Sequence, residues 1–235
     1  MGKLGVVVPA AGQGQRMGTS INKQFLQLNG LPVIVHTLKF LQISELVSEI
    51  VLVGAQQDLS HLEELVYNYT ISKVSHVICG GAVRQESVRE GVIALGQDVD
   101  RVVVHDGARP LLTSEQFDEF IKSAGQAAAA IMAVPLKDTV KRVDSDGLVL
   151  ETPSRSELVA VQTPQLFDRF LLEKAHGEAA AQGYIGTDDA SLVEWMGCPV
   201  QVCSGHYENL KITTPDDLWL AEAILLHRSS GFQGS

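Results

Sequence analysis

The sequence predicts an α/β protein in which helices cover both faces of a mainly parallel, twisted β-sheet. Short apolar runs typical of strands alternate along the chain with longer segments of helical periodicity. The first half repeats a strand–helix unit, which leads to parallel neighbouring strands. A chain of 235 residues is long enough to bury one sizeable core. We therefore expect one Rossmann-like domain over residues 1–235, with a protruding β-hairpin arm.

The predicted elements follow the hydrophobic pattern from the N-terminus onward. Strands are predicted at 5–9, 49–54, 74–79, 101–105, 129–135, 158–162 and 200–204. Helices are predicted at 32–41, 59–67, 85–95, 114–126, 168–182 and 215–226. The last helix has the clearest start, because Thr214 is a good N-cap and Pro215 suits the first helical position. Ligands of such folds bind outside the carboxyl ends of the strands, so functional residues are expected there.

Residues 137–155 interrupt this alternation. Apolar and polar residues alternate on both sides of a turn at residues 144–147, which predicts a β-hairpin. A two-stranded ribbon alone is only marginally stable in water. We expect this arm to lie against its own domain or against a second subunit.

Composition narrows the classes of function. A formal charge of −10 disfavours a general nucleic-acid binder, which needs a basic face. No apolar stretch is long enough to span a membrane, and no signal peptide is evident at the N-terminus. Three cysteines are too few and odd in number for a disulfide framework. These observations predict a cytoplasmic protein with no nucleic-acid or membrane partner.

The glycine-rich segment 8–18, with Lys23 after it, predicts a binding site for a nucleoside triphosphate. Ala10, Ala11 and Gly12 follow an apolar strand and are small enough for backbone N–H groups to approach phosphate oxygens. Arg16 and Lys23 add positive charge. The glycine spacing matches neither the dinucleotide fingerprint nor the Walker A loop. A plain tight turn remains the alternative, but such a turn does not require both cations.

A second set of candidates follows the strand predicted at 101–105. Asp106 could face a metal or a sugar hydroxyl, and Arg109 could bind phosphate through two hydrogen bonds. The alternative is a mutual salt bridge between them. His105 ends an apolar strand, so a structural role is favoured over that of a general base.

Further candidates lie after the third strand and near the C-terminus. Gly81 and Ser87 follow a strand and could contact a base or ribose. Thr187 precedes two aspartates that are interpreted either as helix-capping acids or as site residues. Lys211 has no acidic neighbour in the sequence to neutralise it, so it is a candidate third phosphate cation.

Together these segments resemble the 2-C-methyl-D-erythritol 4-phosphate cytidylyltransferase family, and the resemblance covers nearly the whole chain. The motifs that carry it are Pro9-Ala-Ala-Gly-x-Gly-x-Arg-Met-Gly18 with Lys23-Gln24, His105-Asp-Gly-Ala-Arg-Pro110, Pro135-Leu-Lys-Asp-Thr139, Gln162-Thr-Pro-Gln165, Thr187-Asp-Asp-Ala-Ser191 and Asn209-x-Lys211-x-Thr-x-Pro-x-Asp217. The resemblance implies that CTP and methylerythritol phosphate react to give 4-diphosphocytidyl-2-C-methyl-D-erythritol and pyrophosphate. It also implies Mg²⁺ on the triphosphate and a place in non-mevalonate isoprenoid biosynthesis.

The resemblance also implies roles for individual residues. By this resemblance, the transition-state cations are Arg16 and Lys23. The residues that bind the nucleotide are Ala10, Ala11, Gly12, Gly81, Ser87 and Asp106. The residues that face methylerythritol phosphate are Asp106, Arg109, Thr187 and Lys211, and Lys211 is also catalytic. Thr139 and Arg155 are implied to reach across a homodimer into the partner's site, where Arg155 is also catalytic. Two alternatives remain: a pentitol-phosphate cytidylyltransferase and a catalytically silent nucleotide-binding module.

Overall fold

The computed structural model describes residues 2–12 and 22–230. Its centre is a seven-stranded sheet made of β1 (Lys3–Pro9), β4 (Val47–Gly54), β5 (Val74–Cys79), β6 (Val99–Val104), β7 (Ala129–Pro135), β10 (Val159–Asp168) and β11 (Gln201–Ser204). The strand order is β11-β7-β10-β6-β1-β4-β5, and only β10 runs antiparallel to its neighbours. The predicted α/β class and mainly parallel sheet are confirmed.

Seven α-helices accompany the sheet within the described residues. They are α1 (Val33–Ile43), α2 (Leu59–Asn68), α3 (Arg84–Ala94), α4 (Ser114–Ala124), α5 (Arg169–Gln182), α6 (Asp189–Trp195) and α7 (Pro215–Ser229). Six match predicted helices closely. Helix α6 was not among the helices predicted from periodicity, because the segment is short and turn-rich, although one interpretation of Asp188 and Asp189 as helix-capping acids allowed for it. Among the described residues, no helix is both long and apolar enough to cross a membrane.

The core consists of two apolar layers, one on each face of the sheet. Along β1, Val6 and Val8 face a layer that includes side chains of α1, α2 and α4. Val7 faces the opposite layer, which includes side chains of α3, α5 and α6. This alternation is the period-two pattern expected of a strand buried on both faces. Helix α7 packs in a third, smaller cluster with Leu28 and Leu111.

The strand predicted at 158–162 is longer than expected. Strand β10 continues to Asp168, because it pairs on one side with β7 and on the other with β6. Gln165 lies opposite Val104, so residues 162–164 extend beyond the carboxyl end of β6. The antiparallel strand thereby brings polar side chains to the edge where the parallel strands end.

The predicted hairpin arm is present but has little strand pairing. It contains β8 (Arg142–Val143) and β9 (Val149–Glu151), joined by a turn in which Gly147 has a φ of 81°. Apolar side chains of the arm are exposed, among them Leu148 at 66% and Val149 at 58%. A smaller antiparallel pair, β2 (Gln27–Leu28) and β3 (Leu31–Pro32), precedes α1.

Candidate active site

Backbone hydrogen bonds beyond the strand ends bring three loops together at one edge of the sheet. The N–H of Ala10 donates to the carbonyl oxygen of Val53 at 2.7 Å, and Gly107 N–H donates to Pro9 O at 3.2 Å. Ile212 N–H donates to Ala108 O at 2.8 Å, which places the segment of Lys211 beside the loop after β6. The site therefore forms at the carboxyl ends of the strands, as predicted.

Two cavities open at this edge. The first is lined by small residues of the glycine-rich loop and by the turn before α3, together with charged side chains: Pro9, Ala11, Gly12, Lys23, Gln24, Gly81, Ala82, Val83, Arg84, Ser87, Asp106, Ala108 and Lys211. The second is lined mostly by polar and charged residues: Arg84, Asp106, Arg109, Val161, Gln162, Thr163, Gln165, Thr187, Asp188 and Lys211. Among the residues that the structure describes, three charged side chains line both cavities: Arg84, Asp106 and Lys211.

The carboxylate of Asp106 lies between two cations where the cavities meet. Its Oδ1 is 3.1 Å from Nε of Arg84, and its Oδ2 is 2.7 Å from Nζ of Lys211. Burial opposes ionisation of this carboxyl, but the charges of Arg84 and Lys211 outweigh it and hold the pKa of Asp106 below its usual range. Asp106 is therefore a fixed carboxylate at neutral pH and has no proton to donate.

The expectation that no acid neutralises Lys211 is wrong, since Asp106 approaches it from a distant segment. The alternative of a mutual salt bridge between Asp106 and Arg109 is also wrong. The guanidinium of Arg109 instead donates from Nη1 to the carbonyl oxygen of Asn209 at 2.6 Å. Its Nε is buried without a hydrogen-bond partner among the described residues. Arg109 thus reaches the second cavity with hydrogen-bonding capacity left over.

His105 is structural, as expected. It is completely buried, with Nε2 3.3 Å from the carbonyl oxygen of Arg109 and Nδ1 3.3 Å from Oγ1 of Thr163. Burial lowers the pKa of His105 to about 4. The ring is therefore neutral at neutral pH, with both nitrogens facing protein groups.

The two aspartates after Thr187 have different roles. Asp188 is the N-cap of α6, and its side chain accepts a hydrogen bond from Ser191 N–H at 2.9 Å. Asp189 is not merely a capping acid. Its side chain is 1% exposed, and its Oδ2 lies 2.7 Å from Nη1 of Arg84. His176 lies on its other side, with Nε2 3.3 Å from Oδ1.

The turn before α3 requires glycine because the chain passes close to the helix. A Cβ on Gly81 would lie 2.3 Å from Cβ of Glu86, and one on Gly80 would lie 2.4 Å from Oγ of Ser87. The backbone N–H of Ala82 donates to the Glu86 carboxylate at 2.7 Å. Residues 81–83 of this turn line the first cavity.

The sequence matches the family model of IspD, 2-C-methyl-D-erythritol 4-phosphate cytidylyltransferase, over residues 4–227. It is 48% identical to the enzyme of that name from Halalkalibacterium halodurans over 223 residues, which cover 95% of this chain and 97% of the relative. The chain belongs to this family. It is thus a nucleotidyltransferase.

Other members of the IspD family agree in sequence and in structure. The cytidylyltransferase of Pelotomaculum thermopropionicum is 46% identical over 229 residues, 97% of this chain and 96% of the relative. The crystal structure of 4-diphosphocytidyl-2C-methyl-D-erythritol synthase from Anaerococcus prevotii superposes with a TM-score of 0.85 at 32% identity, covering 96% of each chain. The bifunctional IspDF of Campylobacter jejuni has a TM-score of 0.76 at 27% identity, and this chain covers 53% of its length.

The structure brings most of the predicted site residues of this IspD family member together. The first cavity contains Ala11, Gly12, Lys23, Gly81, Ser87, Asp106 and Lys211, and the second contains Asp106, Arg109, Thr187 and Lys211. Ala10 is 2% exposed and lies behind the first cavity rather than in its lining. Thr139 and Arg155 lie on the arm and line neither cavity. Arg16 lies outside the described residues.

Three polar residues of the IspD site, Arg84, Thr163 and Gln165, were given no role in the site from the sequence, although Thr163 and Gln165 belong to a motif that carries the family resemblance. Arg84 follows the third predicted strand in a helix of mixed charge, so the sequence left open whether it belongs to the site or to a solvated helix face; in the structure it lines both cavities. Thr163 and Gln165 face the second cavity from β10, where Thr163 Oγ1 accepts a hydrogen bond from Asp106 N–H at 3.0 Å. The predicted strand ended at residue 162, so Thr163 and Gln165 lay beyond it, and the signal available was the polar run that directly follows this strand.

Proposed function

We propose that this protein transfers a cytidylyl group from CTP to 2-C-methyl-D-erythritol 4-phosphate, releasing pyrophosphate. The observation that supports this most directly is the meeting of two cavities at Arg84, Asp106 and Lys211 in a chain of this family. An oxygen of the acceptor phosphate forms a bond to the α-phosphorus of CTP. The bond from that phosphorus to the bridging oxygen of the β-phosphate breaks, and pyrophosphate leaves with the bonding electrons.

The first cavity is proposed to hold CTP. Ala11 and Gly12 leave backbone N–H groups accessible to the phosphates, and the turn at Gly81 with Ser87 faces the nucleoside. Lys23 lines the same cavity and supplies positive charge beside the phosphates. Arg16 is proposed as a second cation of the loop, because the motif of the family includes it.

The second cavity is proposed to hold the acceptor phosphate, near Arg109 and Thr187. Negative charge increases on the phosphoryl oxygens in the transition state, so fixed cations are the main requirement of this reaction. Lys211 lines both cavities and can contact phosphate groups from either side. The acceptor phosphate is ionised at neutral pH, so a neutral His105 and a permanently charged Asp106 are consistent with chemistry that needs no general base.

Mg²⁺ is proposed as the cofactor, carried mainly by the triphosphate. The described part of the chain has no cluster of three or more His, Cys, Asp or Glu residues placed to hold a metal. Within the described ranges, Asp106 is the one carboxylate shared by the two cavities, and both of its oxygens already face cations. When bound, the ion would neutralise phosphate charge. The donor set fits an ion held by the nucleotide with Asp106 nearby.

The arm 137–155 is proposed to form a homodimer and to carry Thr139 and Arg155 into the partner's site. The exposed apolar side chains of the arm support an interface there. Arg155 is exposed, and its Nη1 donates to the carbonyl oxygen of Lys137 at 2.6 Å, which folds the base of the arm back on itself. Residues 1–235 are proposed to act as one nucleotidyltransferase domain. The three free cysteines fit the proposed cytoplasmic location.

The test is a pyrophosphate-release assay with CTP that offers methylerythritol phosphate and ribitol phosphate in parallel reactions. We expect release with methylerythritol phosphate and at least about tenfold less with ribitol phosphate. Release with ribitol phosphate alone would identify a pentitol-phosphate cytidylyltransferase. No release with either acceptor, although CTP binds, would identify a silent nucleotide-binding module. UTP in place of CTP serves as the control for the base.

A further inference from the structure

Arg84 is the first residue of α3 and joins two carboxylates from different parts of the chain. Its Nε lies 3.1 Å from Asp106 Oδ1, and its Nη1 lies 2.7 Å from Asp189 Oδ2. Asp106 follows β6, whereas Asp189 begins α6. The side chains of Arg84, Asp106 and Asp189 are 30%, 9% and 1% exposed. A guanidinium group can hold two carboxylates in this way because its N–H donors point in fixed, divergent directions.

We propose that Arg84 is a positioning residue for the reaction. It holds Asp106 and the segment 184–191, which contains Thr187, at fixed places around the acceptor phosphate. The effect of Arg84 on catalysis rests on the proposed function. Arg84 lines both cavities, so it lies where the nucleotide and the acceptor meet.

Two consecutive residues at the start of α3, Arg84 and Gln85, hold the segment 184–191 in place. Gln85, next to Arg84, donates from Nε2 to Tyr184 O at 3.1 Å and accepts through Oε1 from Gly186 N–H at 3.0 Å. Arg84 holds Asp189, two residues after Thr187. The same first turn of α3 contains Ser87, which lines the nucleotide cavity. The first turn of α3 therefore connects the segment 184–191 to the nucleotide side of the site.

Arg84 also balances the charge beside the acceptor phosphate. Two carboxylates, Asp106 and Asp189, face two cations, Arg84 and Lys211. Without Arg84, Asp106 would keep Lys211 and the nearby charge of Arg109, whereas Asp189 would lose the cation that faces it. Repulsion of a phosphate group and a tighter hold of Asp106 on Lys211 would both weaken acceptor binding.

A buried ion pair also supports the fold, so loss of stability must be separated from loss of positioning. Asp189 is almost fully buried, and removal of Arg84 leaves its charge facing only His176. The double variant Arg84→Met/Asp189→Asn removes that uncompensated charge. Arg169→Met is the matched control. Arg169 pairs with Glu173 at 2.7 Å and donates to the carbonyl oxygens of Leu95 and Gly96, which follow α3 and line neither cavity.

The first measurement is steady-state pyrophosphate release with each substrate varied in turn. We expect Arg84→Met to raise the KM of methylerythritol phosphate about tenfold or more and that of CTP less than about threefold, with Arg84→Lys intermediate. The double variant should regain stability but keep the raised KM. Arg169→Met should lower the melting temperature and leave both KM values unchanged. An acceptor KM in Arg84→Met that matches Arg169→Met, or that recovers together with stability in the double variant, would overturn the proposal.

The second measurement does not depend on turnover. Hydrogen exchange of the amides in 184–191 should become about tenfold faster in Arg84→Met than in the wild type, while Arg169→Met leaves this segment protected. Equal acceleration across the whole chain would show general destabilisation and contradict positioning. If the wild-type protein turned over no acceptor, the proposed function would fail, and the exchange result would still decide whether Arg84 holds this segment.

Discussion

Lys211 places its Nζ 2.7 Å from Oδ2 of Asp106, at the point where the two cavities meet. The Lys211 side chain is 37% exposed, whereas the Asp106 side chain is 9% exposed. The lysine can therefore turn toward a phosphate group, while the carboxylate stays fixed by Arg84. Under the proposed function, a bound phosphate group would compete with Asp106 for Lys211.

Replacing Asp106 by asparagine is expected to impair turnover rather than to improve it. The substitution removes the negative charge that orients the side chains of both Arg84 and Lys211, so both lose their ion pair with residue 106. We expect kcat/KM to fall about thirtyfold, which corresponds to about 2 kcal/mol. Steady-state pyrophosphate release measures this. Asp100→Asn, at an exposed position on β6, is the control. A kcat/KM equal to that of the control would refute the anchoring role.

Lys23→Ala is expected to remove most of the activity and leave the fold intact. A cation next to the triphosphate stabilises charge that increases in the transition state, so its loss should cost about 3 kcal/mol, roughly a hundredfold in rate. Single-turnover rates and circular dichroism provide the two readouts. Lys39→Ala, at an exposed position on α1, is the matched control. Near-normal turnover in Lys23→Ala would show that this lysine is not a transition-state cation.

Mixing two inactive variants tests whether the arm completes the partner's site. Under the proposed function, Arg16→Ala removes a cation from a subunit's own site, and Arg155→Ala removes the side chain that its arm contributes to the partner's site. A mixed dimer would contain one site with both residues intact, so about a quarter of wild-type activity is expected after random mixing of equal amounts, in which half the dimers are mixed. Absence of recovery, with mixed dimers demonstrated by mass spectrometry, would mean that each subunit uses its own arm.

The buried His105 predicts a pH-dependent loss of stability. Its pKa is about 4 in the folded protein because of burial, whereas a histidine in an unfolded chain has a pKa of about 6.5. Between these values the unfolded chain binds a proton that the folded one does not, so stability is complete above about pH 6.5 and falls as the pH decreases toward about 4. The loss attributable to this group is about 3 kcal/mol.

Urea unfolding at about pH 7 and about pH 4.5 measures this effect. His105→Gln is the comparison, because it removes the titrating group while the other histidines remain. The variant is expected to be less stable at neutral pH but to lose less stability on acidification than the wild type. Equal losses in the two proteins would show that His105 is not the group responsible.

The sequence predicted much of the site because its local signals are strong. The glycine residues near the end of β1 and before α3, and the charged residues after β6, each follow an apolar strand. Since parallel strands end at one edge of a sheet, these segments had to converge. The signal for the start of α7 was equally local. In the structure, Thr214 forms a capping box with Asp217 at that point.

The partners of the charged side chains depended on tertiary structure alone. Arg84 in a helix of mixed charge has the local pattern of a solvated residue, and Lys211 has no acid beside it in the chain. Both pair with Asp106: α3 packs over β1, the strand beside β6, and Ile212 N–H donates to Ala108 O, which brings the segment of Lys211 to the loop after β6. Local periodicity specifies strands and turns over a few residues, but an ion pair between distant segments depends on strand order and on the burial that results. The sequence therefore determined the class of fold and the place of the site, and only the folded sheet decided which charges meet there.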